Sequence, residues 1–253
     1  MKMNHEKHNE VVSLIKSNIP VLLTGERGSG KTTLIAGAAK ALGRKFYSLS
    51  MTRQTTLSHL LGFMNVNGIY VKSQLRKAAE EGGVFLLDEL DAADPNVILS
   101  LNTVENGYIS FPDEMVELHK DFIICATSNP QDNHKDYTGR AKLDAATLDR
   151  FDKIEVDVDP YLERSLVDHQ TYSTIVLIRE CLKNANSSTY ISVRDTVRLQ
   201  ARRDLGLEVD FAKNLLKNDL RALEEFKRRK NEIPKVLTLS SCTTLKQVWE
   251  KIQ

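Results

Sequence analysis

The sequence predicts an α/β fold, in which helices enclose a parallel β-sheet, followed by an all-helical part. Two observations carry this prediction. An apolar run at residues 21–24 ends in a glycine-rich turn and leads directly into a helix-like segment, an order typical of parallel sheets. Beyond Pro160 the segments lack the alternation of apolar and polar residues that indicates a strand. We therefore expect an α/β domain over residues 1–159 and a helical domain over residues 160–253.

The glycine-rich turn matches G-x-x-x-x-G-K-[ST]. Glycines let backbone N–H groups converge on an anion, and the N-terminus of the following helix adds positive charge. In this motif Lys31 reaches the β- and γ-phosphates of a nucleotide, and the Thr32 hydroxyl ligates Mg²⁺. The position between a strand and a helix distinguishes it from an ordinary glycine-rich turn. The residues predicted to bind the nucleotide here are Gly25, Glu26, Arg27, Gly28, Ser29, Gly30, Lys31, Thr32 and Thr33.

A second apolar run, at residues 84–87, ends in two adjacent carboxylates, Asp88 and Glu89. Ligands of open α/β sheets bind at the carboxyl ends of the strands, so these acids are expected beside the phosphate-binding loop. Asp88 would hold Mg²⁺ together with Thr32, and Glu89 would polarise the attacking water. Without the loop, an exposed acidic pair at a strand end would be the simpler interpretation.

Hydrophobic periodicity places the remaining elements. In the α/β part, helices are expected at residues 11–15, 34–42 and 94–107, and an interrupted helix over 55–82. The Asn67-Gly68 pair predicts a hairpin turn within the interruption, and a second hairpin is predicted around residues 112–114. Further strands are predicted at residues 45–51, 121–127 and 153–158, and helical segments at 161–183, 193–205, 209–230 and 245–252.

The composition fits a chain of 253 residues that buries a substantial core. Its formal net charge of +1 gives no overall reason to expect nucleic acid or a membrane surface as a partner. The cysteines, Cys125, Cys181 and Cys242, are widely spaced and form no C-x-x-C pair, which is typical of reduced thiols. The sequence shows no apolar run of membrane-spanning length and no signal peptide, so we expect a cytoplasmic protein.

Four blocks in this order resemble the AAA+ ATPases, and within them the MoxR group and the small cobaltochelatase subunit. The blocks are residues 25–32, 82–91, 126–130 and 143–151. The resemblance implies a P-loop NTPase fold, with a five-stranded parallel sheet sandwiched by helices and a C-terminal helical lid. The two predicted hairpins coincide with the helix-2 insert and the pre-sensor-1 hairpin of that clade. Relatives often carry prolines where Glu26 and Arg27 stand, whereas the anion-binding glycines and lysine are kept.

The resemblance also implies roles that spacing alone does not assign. Asn129 takes the sensor-1 position and would orient the attacking water, and Arg194 matches sensor 2 and would touch the γ-phosphate. Arg150 takes the arginine-finger position and would act in trans, on ATP bound to the neighbouring subunit. Arg140 lies near the same interface by sequence and remains open as the finger or a second one; an exposed arginine after a helix is the alternative for Arg150. The predicted catalytic residues are therefore Lys31, Glu89, Asn129 and Arg150.

A finger in trans requires a heterologous contact that closes into a ring, for which six subunits is the usual number in the family. The expected function is therefore a Mg²⁺-dependent, ring-forming ATPase that remodels a protein client, alongside a von Willebrand A-domain partner as in MoxR-type proteins. A nucleic-acid motor or loader is the alternative, motivated by the basic run at residues 227–230. A solvated helix face also explains that run, because Glu224, Glu225 and Glu232 lie nearby.

A nucleotide-gated scaffold that hardly hydrolyses ATP is a third interpretation, and the presence of Glu89 argues against it. A metal-chelatase role, which the cobaltochelatase likeness suggests, would need larger partner subunits. The sequence also lacks an H-E-x-x-H motif, zinc-ligand spacing and a nucleophile elbow, so it gives no support to an independent enzyme activity.

Overall fold

The computed structural model describes residues 4–101, 104, 106–130, 143, 145–206 and 211–232. The chain divides into two compact units, Glu6–Asp157 and a unit made mainly of the residues from Val158 onward. The predicted assignment of residues 1–159 to nucleotide binding and of 160–253 to a lid stays a prediction. The helix expected at residues 245–252 lies outside the described residues. Within the described part of the chain, no helix combines the length and apolar character needed to cross a membrane.

The first unit alternates strands and helices along the chain. Its elements are α1 (His8–Lys16), β1 (Val21–Thr24), α2 (Lys31–Ala41), β2 (Phe46–Ser50), α3 (Leu57–Leu61), β3 (Phe63–Met64), β4 (Tyr70–Val71), α4 (Gln74–Glu81), β5 (Gly83–Asp88), α5 (Pro95–Leu99), β6 (Tyr108–Ser110), β7 (Met115–Glu117), β8 (Phe122–Ser128), α6 (Ala145–Asp149) and β9 (Asp152–Glu155). The second unit contains α7 (Pro160–Leu166), α8 (His169–Asn184), α9 (Val193–Asp204), α10 (Phe211–Leu215) and α11 (Leu220–Arg229).

Five parallel strands form the sheet of the first unit in the order β2–β5–β8–β1–β9. Alternate residues of β5 enter two separate cores: Val84 and Leu86 pack on one face of the sheet, and Phe85 and Leu87 pack on the other. Because both faces are covered, the strand reads as a continuous apolar run rather than an alternating one. The predicted five-stranded parallel sheet enclosed by helices is confirmed.

The neighbouring central strand, β8, is buried along its whole length. Its Cys125 is fully buried, and burial raises the pKa of this thiol to about 12. A thiol with so high a pKa stays protonated and unreactive near neutral pH. Cys125 is therefore a core residue.

The helix predicted over residues 94–107 is shorter than expected, because α5 ends at Leu99. It begins as expected, with the Asp94 carboxylate accepting a hydrogen bond from the Asn96 N–H. Past its end the N–H groups of Leu101 and Val104 bond to carbonyls three residues back, as in a 3₁₀ turn. Leu101 is still buried, so the apolar spacing correctly identified a core position although the backbone there is more tightly wound.

The helical segments of the second unit are more finely divided than the sequence predicts. The Asp168 carboxylate accepts a hydrogen bond from the Thr171 N–H and begins α8 inside the segment expected at residues 161–183. Asp219 likewise caps α11 by accepting from the Ala222 N–H. An aspartate at the N-cap satisfies an otherwise unpaired backbone donor, so each carboxylate starts a new helix.

A buried ion pair ties three helices of the second unit together. Glu163 of α7 is 1% exposed and accepts two hydrogen bonds from Arg179 of α8, at 2.7 and 2.8 Å. The Thr196 hydroxyl of α9 donates to the same carboxylate. Breaking such a pair by removing one partner leaves an uncompensated buried charge, so this contact fixes α7, α8 and α9 as one body.

The two predicted hairpins form as expected, β3–β4 and β6–β7. The buried guanidinium of Arg76, in α4, contacts both: it lies 5.4 Å from the ring centre of Tyr70 in β4 and bonds to Asp113 and Glu114 in the turn between β6 and β7. It also bonds to Glu80, one turn further along α4. One side chain thus holds the two hairpins against the same helix.

Candidate functional site

The phosphate-binding loop joins β1 to α2 at the carboxyl edge of the sheet. At Gly25 an added Cβ would lie 2.1 Å from the Val156 carbonyl oxygen, so the close packing of the loop on the chain after β9 admits only glycine. Gly30, the N-cap of α2, has φ of 96°, and an added Cβ there would meet nothing within 4 Å. The loop is therefore tightly packed at Gly25 and open at Gly30, next to the N-terminal N–H groups of α2.

Within this loop, Ser29 has a buried side chain. Its Oγ has no hydrogen-bond partner among the described residues. A buried polar atom without a partner is uncommon in native structures and points to a group that would complete its bonding. Of the other loop residues predicted to bind the nucleotide, Glu26 and Gly28 are half-buried, and Arg27 and the helix residue Thr33 are exposed.

The ammonium group of Lys31 is folded back onto the loop. Its Nζ donates to the carbonyl oxygens of Gly25 at 2.6 Å and Glu26 at 2.9 Å. Burial lowers the pKa of Lys31 to about 8, although the carboxylates around it, Asp88 foremost, oppose the shift. A buried ammonium bonded to neutral carbonyls is held at a cost that a bound phosphate would relieve.

The pKa of Lys31 predicts how nucleotide affinity varies with pH. A triphosphate favours the ammonium form, so the affinity is level below about pH 8 and falls about tenfold per pH unit as the free protein loses that proton. Isothermal titration of ATP between about pH 7 and about pH 9.5 measures this, since phosphate oxygens are ionised throughout that range. Lys31→Arg, which stays charged, is expected to remove the slope. A wild-type affinity that is level up to about pH 9.5 contradicts the prediction.

Thr32 and Asp88 meet at the same edge of the sheet. Thr32 Oγ1, in the first turn of α2, lies 3.2 Å from Asp88 Oδ1 and 3.1 Å from Asp88 Oδ2. Mg²⁺ is usually held by one or two protein ligands together with water and substrate phosphates, so this hydroxyl and carboxylate fit the ion. In the described part of the chain there is no cluster of three or more His, Cys, Asp or Glu that could hold a metal by itself.

The second acid, Glu89, has a left-handed backbone with φ of 59°. Its N–H donates to Thr127 Oγ1 at 2.9 Å, and its carbonyl accepts from the Ala92 N–H at 2.8 Å. Asn129 is 5% exposed and directly follows β8, which pairs with β5. The structure therefore brings Lys31, Thr32, Asp88 and Glu89 to one edge of the sheet, and Asn129 lies at the end of the adjacent strand.

Thr127 is a site residue that sequence reasoning did not identify. Its hydroxyl donates to Asp88 Oδ1 at 2.5 Å while accepting from the Glu89 N–H. The available signal was a hydroxyl side chain at the carboxyl end of a buried strand, two residues before Asn129. Such a signal becomes specific only when the pairing of β8 with β5 is known.

The structure describes two of the three arginines considered for the γ-phosphate. Arg150 follows α6, is half-buried and engages other residues of its own chain. Arg194 lies in the first turn of α9 and is exposed, whereas Arg198 of the same helix pairs with Asp195. Arg140 lies outside the described residues. Their roles towards a nucleotide stay predictions.

The basic run at residues 227–230 lies at the end of α11. Arg229 bonds to Glu180 of α8 at 2.9 Å and to Glu225 of its own helix at 3.3 Å. Part of this charge is thus neutralised within the second unit. The contacts favour the solvated helix face over a nucleic-acid surface.

Comparison with known proteins places this site in a family. The family model of the AAA domain, dynein-related subfamily, matches residues 20–151, more than half of the chain. The matched range contains the phosphate-binding loop, the acidic pair, Asn129 and Arg150.

Individual relatives agree with the family match. Midasin from Giardia intestinalis is 31% identical over 155 residues, covering 58% of this chain but 3% of the midasin. The protein NorQ of Paracoccus denitrificans is 28% identical over 164 residues, covering 61% of this chain and 59% of NorQ. The chain thus spans a small part of the midasin and less than two thirds of NorQ.

The fold is shared with a crystal structure of a proposed ATPase from Cytophaga hutchinsonii. The TM-score is 0.50 at 19% identity, and the alignment covers 97% of this chain and 87% of that one. Identity this low supports the fold and nothing beyond it. This likeness and the family match together confirm the predicted AAA+ fold. The chain belongs to the AAA domain family, dynein-related subfamily.

Proposed function

We propose that this chain is a Mg²⁺-dependent ATPase that works as a ring and uses hydrolysis to remodel a protein partner. The observation that carries the proposal is the contact between the Thr32 hydroxyl and both Asp88 oxygens, with Lys31 and Glu89 on the same sheet edge. This arrangement supplies a cation for phosphate, a hydroxyl–carboxylate pair for a metal, and a second carboxylate for water.

Each residue of the site has a distinct part in hydrolysis. The loop N–H groups and the α2 N-terminus bind the phosphates, and Lys31 exchanges its loop carbonyls for phosphate oxygens. Thr32 and Asp88 would hold Mg²⁺, which when bound offsets the negative charge on the phosphates. Glu89 accepts a proton from the attacking water, and Asn129 orients that water from the end of β8.

The ring and its client rest on the family resemblance. Arg150 would reach the ATP of the next subunit and stabilise charge that develops on the γ-phosphoryl group. The second unit would act as a lid, with Arg194 as its contact to the nucleotide. Movement of this lid would act on a protein client, with a von Willebrand A-domain protein as the partner type.

The buried, reduced thiols Cys125 and Cys181 support a cytoplasmic location.

The test is ATP turnover per subunit as a function of protein concentration. A site completed by a neighbour predicts turnover that rises with concentration and levels off once rings have formed, and that stops when EDTA removes Mg²⁺. Light scattering of the same samples gives the subunit number, expected to be six. A subunit turnover that stays constant from dilute monomer to assembled protein overturns the ring mechanism, and turnover that survives EDTA overturns the metal dependence.

A further inference from the structure

Thr127 lies near the end of β8, two residues before Asn129, and is buried. It is 1% exposed and lies at the carboxyl end of β8, which lies between β5 and β1 in the sheet. Leu87, the residue before Asp88, pairs with Ala126. Thr127 therefore lies next to the end of β5, where Asp88 and Glu89 follow each other in the chain. A threonine here is enclosed by packing, and its hydroxyl has a fixed set of neighbours.

Its hydroxyl contacts both acidic residues at once. A hydroxyl has one donor hydrogen and two acceptor lone pairs. The hydrogen is used on Asp88 Oδ1 at 2.5 Å, and a lone pair accepts the Glu89 N–H at 2.9 Å. These bonds restrict the direction of the Asp88 carboxylate, which also accepts a hydrogen bond from the Thr32 hydroxyl.

Glu89 needs such a contact because its backbone is held in a sparsely populated conformation. A non-glycine residue with a left-handed backbone is strained and persists only where its surroundings fix it. The N–H is fixed by Thr127 and the carbonyl by Ala92. Release of the N–H would let the peptide between Asp88 and Glu89 relax and would redirect both carboxylates.

We propose that Thr127 is a positioning residue that sets the directions of Asp88 and Glu89 for hydrolysis. This inference rests on the proposed function of that acidic pair. Thr127 acts through the two acids rather than on the substrate. Its loss therefore lowers the rate of the chemical step and weakens the Mg²⁺ response while leaving metal-free nucleotide binding unchanged.

The experiment compares Thr127→Val, which keeps the shape and removes both bonds, with Thr127→Ser, which keeps the hydroxyl. The kcat of Thr127→Val is expected to fall by about 10–100-fold, and Thr127→Ser to recover most of it. The Mg²⁺ concentration for half-maximal binding of a fluorescent ATP analogue is expected to rise by about tenfold in Thr127→Val. Thr171→Val, which removes a buried threonine hydroxyl that accepts from Arg203 in the second unit, is the matched control.

The kcat and the Mg²⁺ titration together distinguish a failure of this inference from a failure of the proposed function. If the wild type turns over ATP and Thr127→Val matches it in kcat and in Mg²⁺ response, the positioning role is wrong. If the wild type shows no turnover, the proposed function fails, and an unchanged Mg²⁺ titration of Thr127→Val then overturns the positioning role as well. Should Thr127→Val not fold, Thr127→Cys replaces it, because a thiol is a weak donor of similar size. A Thr127→Ser variant as impaired as Thr127→Val also contradicts the proposal.

Discussion

Glu89→Gln is expected to lower ATP turnover by about 10²–10⁴-fold, the usual contribution of a positioned general base. An amide cannot accept the proton of the attacking water, yet it has nearly the same shape as the carboxylate. The backbone bonds that hold residue 89, to Thr127 and from Ala92, do not involve its side chain, so the local structure should survive.

The same variant is expected to bind ATP as tightly as the wild type, since Lys31 and the loop are untouched. Single-turnover hydrolysis and ATP binding, measured on the same sample, separate the two effects. Glu117→Gln, on the exposed side of β7, is the matched control and should keep full turnover. A Glu89→Gln variant that retains more than about a tenth of wild-type turnover would show that another group activates the water.

Arg150→Ala is expected to lower turnover by about 10³-fold or more, in line with the contribution of an arginine that stabilises the γ-phosphoryl transition state from a neighbouring subunit. The guanidinium acts on charge that grows during the reaction, so ATP affinity should change far less than kcat. Native mass spectrometry in the presence of ATP should find the same ring as in the wild type.

The control for this variant is Arg164→Ala, which removes an exposed arginine near the end of α7. It should keep wild-type turnover. If Arg150→Ala forms the ring and hydrolyses ATP at the wild-type rate, Arg150 is not the finger, and Arg140→Ala becomes the variant to measure. If Arg150→Ala does not form the ring, failed assembly explains its loss of turnover. Arg150→Lys, which keeps a charge at this position, then distinguishes the effect on assembly from the effect on catalysis.

The sheet could be predicted because its sequence signals are local and redundant. Residues 84–87 are apolar without alternation since both faces of β5 are covered. The phosphate-binding loop could be predicted because only glycine fits where Gly25 meets the Val156 carbonyl, so the requirement is visible in the residue type. The position of the acidic pair beside this loop could be predicted from the general rule that ligands bind at the carboxyl ends of parallel strands.

Other features depend on contacts between distant segments and could not be predicted in the same way. The bonds from Thr127 to Asp88 and Glu89 require the register of β5 against β8. The contacts of Arg76 with two hairpins require the placement of three separate segments. The length of α5 was overestimated because 3₁₀ and α-helical turns bury nearly the same apolar positions.

The helix divisions in the second unit had a visible signal that periodicity alone overlooked. Asp168 and Asp219 are N-cap residues, and each lies within a stretch whose apolar spacing continues across the break. Capping chemistry therefore decides where a helix begins when the hydrophobic pattern does not.

The measurement that tests the composite active site most directly is ATP turnover in a mixture of Glu89→Gln and Arg150→Ala subunits. Each variant alone should be nearly inactive, because one lacks the base and the other the finger. In mixed rings, a complete site forms where an Arg150→Ala subunit, which keeps Glu89, adjoins a Glu89→Gln subunit that supplies Arg150. Random mixing in equal amounts gives this arrangement at about a quarter of the sites. Turnover is therefore expected to return to about a quarter of the wild-type rate on mixing. Mixed rings that remain as inactive as either variant alone would contradict it.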